Sequence, residues 1–269
     1  CPSDLVAAQP LAQLDLLVRR DADVNFLGND VYHPGGLGQT RSSEVGADGT
    51  AVFHAQLGND GNVASRFRLK GPAGANGWNV RYTGGRPALM FDGLDDHIAI
   101  ADAPALNPRA FTVEGWFNFA TLGGIRVLVA KPVGSGSGDS MAVWMDGAQL
   151  RAIAQDFTRP APLLAYNWPH PAGTWHHVAY TFDDDANRHA LLVDGVEVTG
   201  ADTDVTPAYD AHPFLIGADI EGGRLGYFLH GAARDIRFWN QTRSAAQIGA
   251  DLNRRLTGSE AGLIGLWRL

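Results

Sequence analysis

Three aspartates crowd one short stretch, FDGLDDHIAI at residues 91–100. Carboxylates so spaced suit a hard cation such as calcium, which takes about six to eight oxygens from carboxylates, carbonyls and water. Asp92, Asp95 and Asp96 are therefore candidate metal ligands. The same residue types also make turns, because aspartate side chains accept hydrogen bonds from nearby backbone N–H groups. Both readings stand at this stage. A second acidic run, DDDAN at 183–187, reads as a solvated hairpin tip, since adjacent like charges repel unless a cation is held.

Other reactive residue types are isolated. In WHHVAYTF the strand period of two sends His176 and His177 to opposite faces, which argues against a joint metal site for that pair. Glu114 in FTVEGWF has Thr112 and Trp116 at the same-face positions and no partner acid. No G-x-S-x-G nucleophile elbow occurs, and GSGSG at 134–138 reads as a flexible loop without the Lys-Ser/Thr of a phosphate cradle. The residue types thus point away from catalysis. Sugar binding needs aromatic plates beside polar groups. Trp144, Tyr166 and Trp168 are the candidates, and Trp168 in YNWPHP ranks first because the flanking prolines remove it from regular strand pairing.

Composition limits the partners. The chain has 269 residues, a formal net charge of −8 and no Lys/Arg-rich block, so the surface that neutralises nucleic-acid phosphates is missing. Only five glutamates occur, which leaves aspartate, a turn former, to carry most of the negative charge. The one cysteine is Cys1, which cannot form an internal disulfide. Its position fits a lipid anchor on a bacterial lipoprotein, with residues 1–13 as tether and an extracytoplasmic location.

Short apolar or alternating runs separated by Gly, Pro, Asn and Asp predict an all-β chain. Residues 14–85 read as a small immunoglobulin-like β domain, with strands at LDLLVRR, DVNFLG, TAVFHAQLGN, SRFRLKG and GWNVRY. Residues 86–269 hold eleven candidate strands, enough for a two-sheet jelly roll. The Asp-Gly pairs at 146–147 and 194–195 predict tight hairpins. One amphipathic helix is predicted within RSAAQIGADLNRRLTG: Ser244 and Gln247 form a capping box, Ala245, Ile248, Leu252 and Leu256 share a face, and Arg254 and Arg255 are a solvated end.

The series ALMFDGLDDHIAI, FTVEGWFNF, GTWHHVAYTF, ALLVDGVEV, FLIGAD, GAARDIRFWNQTRSAAQI and GLIGLWRL resembles the bacterial laminin-G-like domains of the concanavalin A-like lectin/glucanase superfamily. Residues 51–85 resemble bacterial surface modules with an NDG turn and a GW-x-V-x-Y strand. The first resemblance implies a concanavalin A-like jelly roll and non-enzymatic binding of a glycan or protein at a cell surface, often with structural Ca2+. It also implies a fourth metal ligand, Asp235, although Arg234 stands where relatives carry an acid, which sets an arginine–aspartate ion pair against a bound metal. Retaining glucanases of that superfamily carry an alternating Glu-x-Asp-x-Glu run, and none is present. The alternatives are a structural or accessory subunit of an envelope complex or filament, and thirdly a glycoside hydrolase. Relatives often continue with acidic residues beyond the GLIGLWRL strand, so a longer native chain is expected.

Overall fold

A computed structural model describes residues 14–20, 22–23, 27, 40–45, 49–59, 88–134 and 138–268. The chain divides into two compact units, Cys1–Thr83 and Gly84–Leu269. In the first, β1 (Leu14–Arg20) and β2 (Phe53–Asn59) pair antiparallel, and Val18 bridges to Leu27. Cys1 and the expected strands SRFRLKG and GWNVRY lie outside the described residues, and two paired strands do not establish an immunoglobulin-like module.

The second unit runs β3 (Leu89–Asp92), β4 (Ile98–Ile100), β5 (Ala110–Phe119), β6 (Ile125–Val133), β7 (Gly138–Asp146), β8 (Gln149–Ala154), β9 (Leu164–Asn167), β10 (Trp175–Asp183), β11 (Arg188–Val193), β12 (Val196–Asp202), β13 (Phe214–Ile216), β14 (Asp219–Glu221), β15 (Arg224–Gly226), β16 (His230–Trp239), helix α1 (Ala245–Asp251) and β17 (Leu263–Trp267). Seven strands form one sheet in the order β12-β11-β10-β5-β16-β17, with β3 also on β16. Six form the other, β4-β13-β6-β7-β8-β9. This is the two-sheet jelly roll that the strand pattern predicts.

Period-two alternation explains the core. Phe111, Val113, Phe117 and Phe119 of β5 and Val178, Tyr180 and Phe182 of β10 face inward, against Met141, Val143 and Met145 of β7 and Leu150, Ala152 and Ala154 of β8. Burial of these side chains drives the packing, at about 1.5–3 kcal/mol for each large apolar group. Two glycines are dictated by close approach rather than by turns. A Cβ at Gly231 would lie 2.0 Å from the Asn118 carbonyl oxygen, and one at Gly115 would lie 2.3 Å from Ile236 Cδ1.

The hairpins follow the glycines with one adjustment. Asp194 and Gly195 both have positive φ, 50° and 80°, the type I′ turn expected between β11 and β12. At the β7–β8 hairpin Asp146 pairs with Gln149, so the turn residues are Gly147 and Ala148, one step later than Asp146-Gly147. In the 183–187 tip Asp184 is not solvated. It is 8% exposed, accepts from Thr206 Oγ1 at 2.7 Å and from Arg109 Nε at 2.6 Å, and so pins two loops.

The helix is shorter than its sequence pattern. Both hydrogen bonds of the capping box are present, Gln247 N to Ser244 Oγ at 3.3 Å and Ser244 N to Gln247 Oε1 at 2.8 Å. Ile248 and Leu256 are buried, Leu252 packs beside them, and Ala245 is exposed. Beyond Asp251 the carbonyls are taken by side chains of the sheet: Asp251 and Arg254 by Arg237, Leu252 by Trp116. Those donors replace the next turn of helix. Arg254 pairs with Asp251 at 3.0 Å instead of being merely solvated.

Candidate functional site

The outward face of the six-stranded sheet carries the arrangement best suited to a ligand. On β7 the inward residues are Met141, Val143 and Met145, which leaves Ala142, Trp144 and Asp146 facing outward. Register sets Trp144 between Val127 of β6 and Arg151 of β8. The indole is partly buried against Val127, Ala130, Ala142 and Ile153 and keeps part of its surface in water.

Beside this ring runs a row of polar side chains joined to one another. Arg151 Nη1 meets Asp146 Oδ2 at 2.7 Å, and Arg151 Nη2 donates to Gln149 Oε1 at 2.8 Å. Gln149 Nε2 donates onward to Asn167 Oδ1 at 2.9 Å, across to β9. Arg151 and Asp146 remain 29% and 35% exposed, so their other donors and acceptors stay available to a ligand. The pairing neutralises Arg151 and preorganises the row. Strand placement, not loop geometry, fixes all five residues.

The other two aromatic candidates are placed differently. Trp168 is 5% exposed, with Phe119, His170 and His176 set edge-on to its ring at centroid distances of 5.5, 4.9 and 5.3 Å. It leaves no open face for a sugar, because the proline-flanked segment folds it over the sandwich edge. Tyr166 packs toward the core, since on β9 it alternates with the outward Ala165 and Asn167. The apolar strand patterns around Trp116, Trp175, Trp239 and Trp267 predict four core rings. Trp116 and Trp175 lie instead on the outer face of the seven-stranded sheet, with the Arg234 guanidinium 5.4 and 4.4 Å from their ring centroids. Trp239 is buried and Trp267 packs on the core.

The aspartate stretch forms a turn. Leu94 N donates to Asp92 Oδ1 at 2.7 Å and Asp92 N donates to Asp96 Oδ2 at 2.9 Å. Carboxylate oxygens of Asp92, Asp95 and Asp96 lie within 4.8 Å of one another, and all three residues are exposed. They supply three of the six to eight oxygens that calcium takes, and backbone N–H groups already occupy two of their oxygens. Asp235 does not join them. Asp92 pairs with His230, so Asp235 lies five residues farther along β16, roughly 16 Å away at strand rise. Asp235 instead has φ 51° at an irregularity between Arg234 and Arg237.

That irregularity builds the network around Glu114. In a regular strand Arg234 and Arg237 would point to opposite faces; the bulge brings both to the helix side while Ile236 enters the core. Glu114 is fully enclosed there. Its Oε1 accepts from Trp239 Nε1 at 2.8 Å and Arg243 Nη1 at 3.1 Å, with Arg237 Nη1 at 3.6 Å, and His177 Nε2 lies 3.5 Å from Oε2. Arg243 continues to Asp251 of α1 and stacks over Trp239 at 4.0 Å. Burial raises the Glu114 carboxyl pKa against the opposing pull of Arg237 and Arg243. Burial, reinforced by those guanidiniums, lowers His177 to about 3, so this imidazole is neutral. Glu114 has no access to a substrate, and its work is to tie the sheet to the helix.

The two packed antiparallel sheets define a jelly-roll β-sandwich of the concanavalin A-like type. Residues 91–249 match the profile of a laminin-G family, and the chain belongs to the concanavalin A-like lectin/glucanases superfamily. No curated protein matches the chain. Among solved structures, a Bacteroides ovatus protein named for a suspected carbohydrate-binding role is 15% identical, with a TM-score of 0.56 over 97% of this chain and 81% of its own. The CBM40 module of the Ruminococcus gnavus IT-sialidase is 11% identical, with a TM-score of 0.50 over 62% of this chain and 98% of its own. At such identities the likeness is one of fold.

Proposed function

We propose that the sandwich unit is a non-enzymatic glycan-binding module that takes sugar on the outer face around Trp144. The carrying observation is the partly exposed Trp144 indole flanked by the joined polar row Asp146, Arg151, Gln149 and Asn167. An indole face packs the C–H surface of a pyranose, and neighbouring donors and acceptors take its hydroxyls. Because Arg151 is already paired with Asp146, the face suits hydroxyl-rich sugars without requiring a charged one. The Bacteroides ovatus relative, by its name, supports the same reading. The test is a glycan array probed with the whole chain. Bound glycans whose signal disappears in Trp144→Ala support the site, and glycans held equally by the variant overturn it.

Two further parts of the proposal are separate from that face. Calcium is proposed only at Asp92, Asp95 and Asp96. If it is held there, chelation lowers Tm and added calcium restores it, whereas an unchanged Tm removes calcium from the account. A cell-surface location with lipid on Cys1 is proposed from the lone cysteine, and the intact mass of the native N-terminus decides it: an unmodified thiol excludes the anchor.

A further inference from the structure

A second constellation stands apart from the Trp144 row. His170 in the loop between β9 and β10, His176 at the start of β10 and Asp194 in the β11–β12 turn place ligand-type atoms within 4.8 Å of one another. Sequence spacing conceals this, because register and a turn bring the three together. Asp194 is fixed by two contacts to one strand, Oδ1 accepting from His177 N at 2.8 Å and Oδ2 meeting His176 Nδ1 at 2.8 Å. The two imidazoles stack with centroids 3.8 Å apart and planes 28° from parallel, over the edge of buried Trp168.

Polar contacts hold one ring of the pair and leave the other open. Thr174 Oγ1, which donates to the Pro171 carbonyl at 2.7 Å, lies 3.0 Å from His176 Nε2, and Asp194 Oδ2 lies 2.8 Å from Nδ1. His176 is therefore fixed by an oxygen at each ring nitrogen. The His170 ring is held by stacking and makes no hydrogen bond among the described residues. The site thus brings an unengaged imidazole against a second imidazole and a carboxylate that are already in contact.

We propose that His170, His176 and Asp194 form a transition-metal site of the zinc type, with a fourth position open to water. Zinc would take the place of the hydrogen bond between His176 Nδ1 and Asp194 Oδ2, with the ring N–H then on Nε2 beside Thr174 Oγ1, and Asp194 would pass from hydrogen-bond partner to ligand. Two imidazoles and one carboxylate are a known donor set for Zn2+, whereas the nitrogens disfavour calcium. Bonds of about 2.0–2.2 Å require donor separations of roughly 3.3 Å. His176 Nδ1 and Asp194 Oδ2, now 2.8 Å apart, would part by about 0.5 Å to admit the ion, and His170 would swing out of the stack to close the remaining distance. Bound metal would clip the loop around Trp168 to the β11–β12 turn.

The test is zinc titration of the whole chain by calorimetry, with Co2+ as a spectroscopic probe. The expected result is one saturable site that gives Co2+ visible bands of low coordination number. His170→Ala, a loop substitution whose fold is checked by its melting curve, is expected to weaken zinc at least about 10-fold, and Asp194→Asn likewise. If Asp194→Asn does not fold, His170→Ala alone decides. Absence of saturable zinc binding, or undiminished affinity in His170→Ala, overturns the site. Trp144→Ala is expected to bind zinc normally, which keeps this test independent of the glycan reading.

Discussion

Glu114→Ala is expected to destabilise the sandwich unit by about 3–5 kcal/mol, the cost of stripping a buried charge pair of one partner. The side chain is completely enclosed, and its removal leaves Arg237 beside a hole with no carboxylate and Arg243 with Asp251 as its one remaining acidic partner among the described residues. Trp239 Nε1 loses its acceptor at the same time. At about 2–4 °C per kcal/mol for a unit of this size, Tm falls by roughly 6–20 °C. Glu114→Gln retains an acceptor for Trp239 and fills the space, so its loss is smaller. Thermal melting of the three proteins checks the order, and equal melting temperatures for Glu114→Ala and the native chain would contradict a charge hub under α1.

Trp144→Ala is expected to act on binding. An aromatic anchor at the centre of a recognition face contributes about 2–4 kcal/mol, which corresponds to a loss of about 30- to 800-fold in affinity. Arg151→Ala removes the polar neighbour that joins Asp146 to Gln149 and is expected to weaken binding by a smaller factor. Trp168→Ala should behave in the opposite way. Its ring is buried beneath Phe119 and the two histidines, so its loss costs stability of about 3–5 kcal/mol. The two tryptophans thus separate a ligand plate from a structural one.

The sequence reveals what depends on local pattern. Strand positions follow from period-two alternation, the Asp194-Gly195 hairpin from the demand for positive φ, and the start of α1 from its capping box. What it conceals depends on partners distant in the chain. Nothing local marks the bulge at Asp235, yet that bulge brings Arg234 and Arg237 to one face and carries Asp235 away from the aspartate turn. The end of α1 is set by Arg237 and Trp116, more than ten residues away in sequence. Trp168 looked exposed because proline excluded it from a ladder, but leaving a ladder does not mean facing water. The strand period correctly separates His176 from His177, and it cannot show that His170 and Asp194 come to meet His176.

The most direct test of glycan recognition at the outer face measures affinity and Tm together for the native chain, Trp144→Ala and Trp168→Ala against a glycan selected on an array. The account predicts that Trp144→Ala loses at least about 30-fold in affinity with the smaller fall in Tm, and that Trp168→Ala shows the larger fall in Tm. A native chain that binds no glycan, or a Trp144→Ala variant that binds as tightly as the native chain, would contradict it.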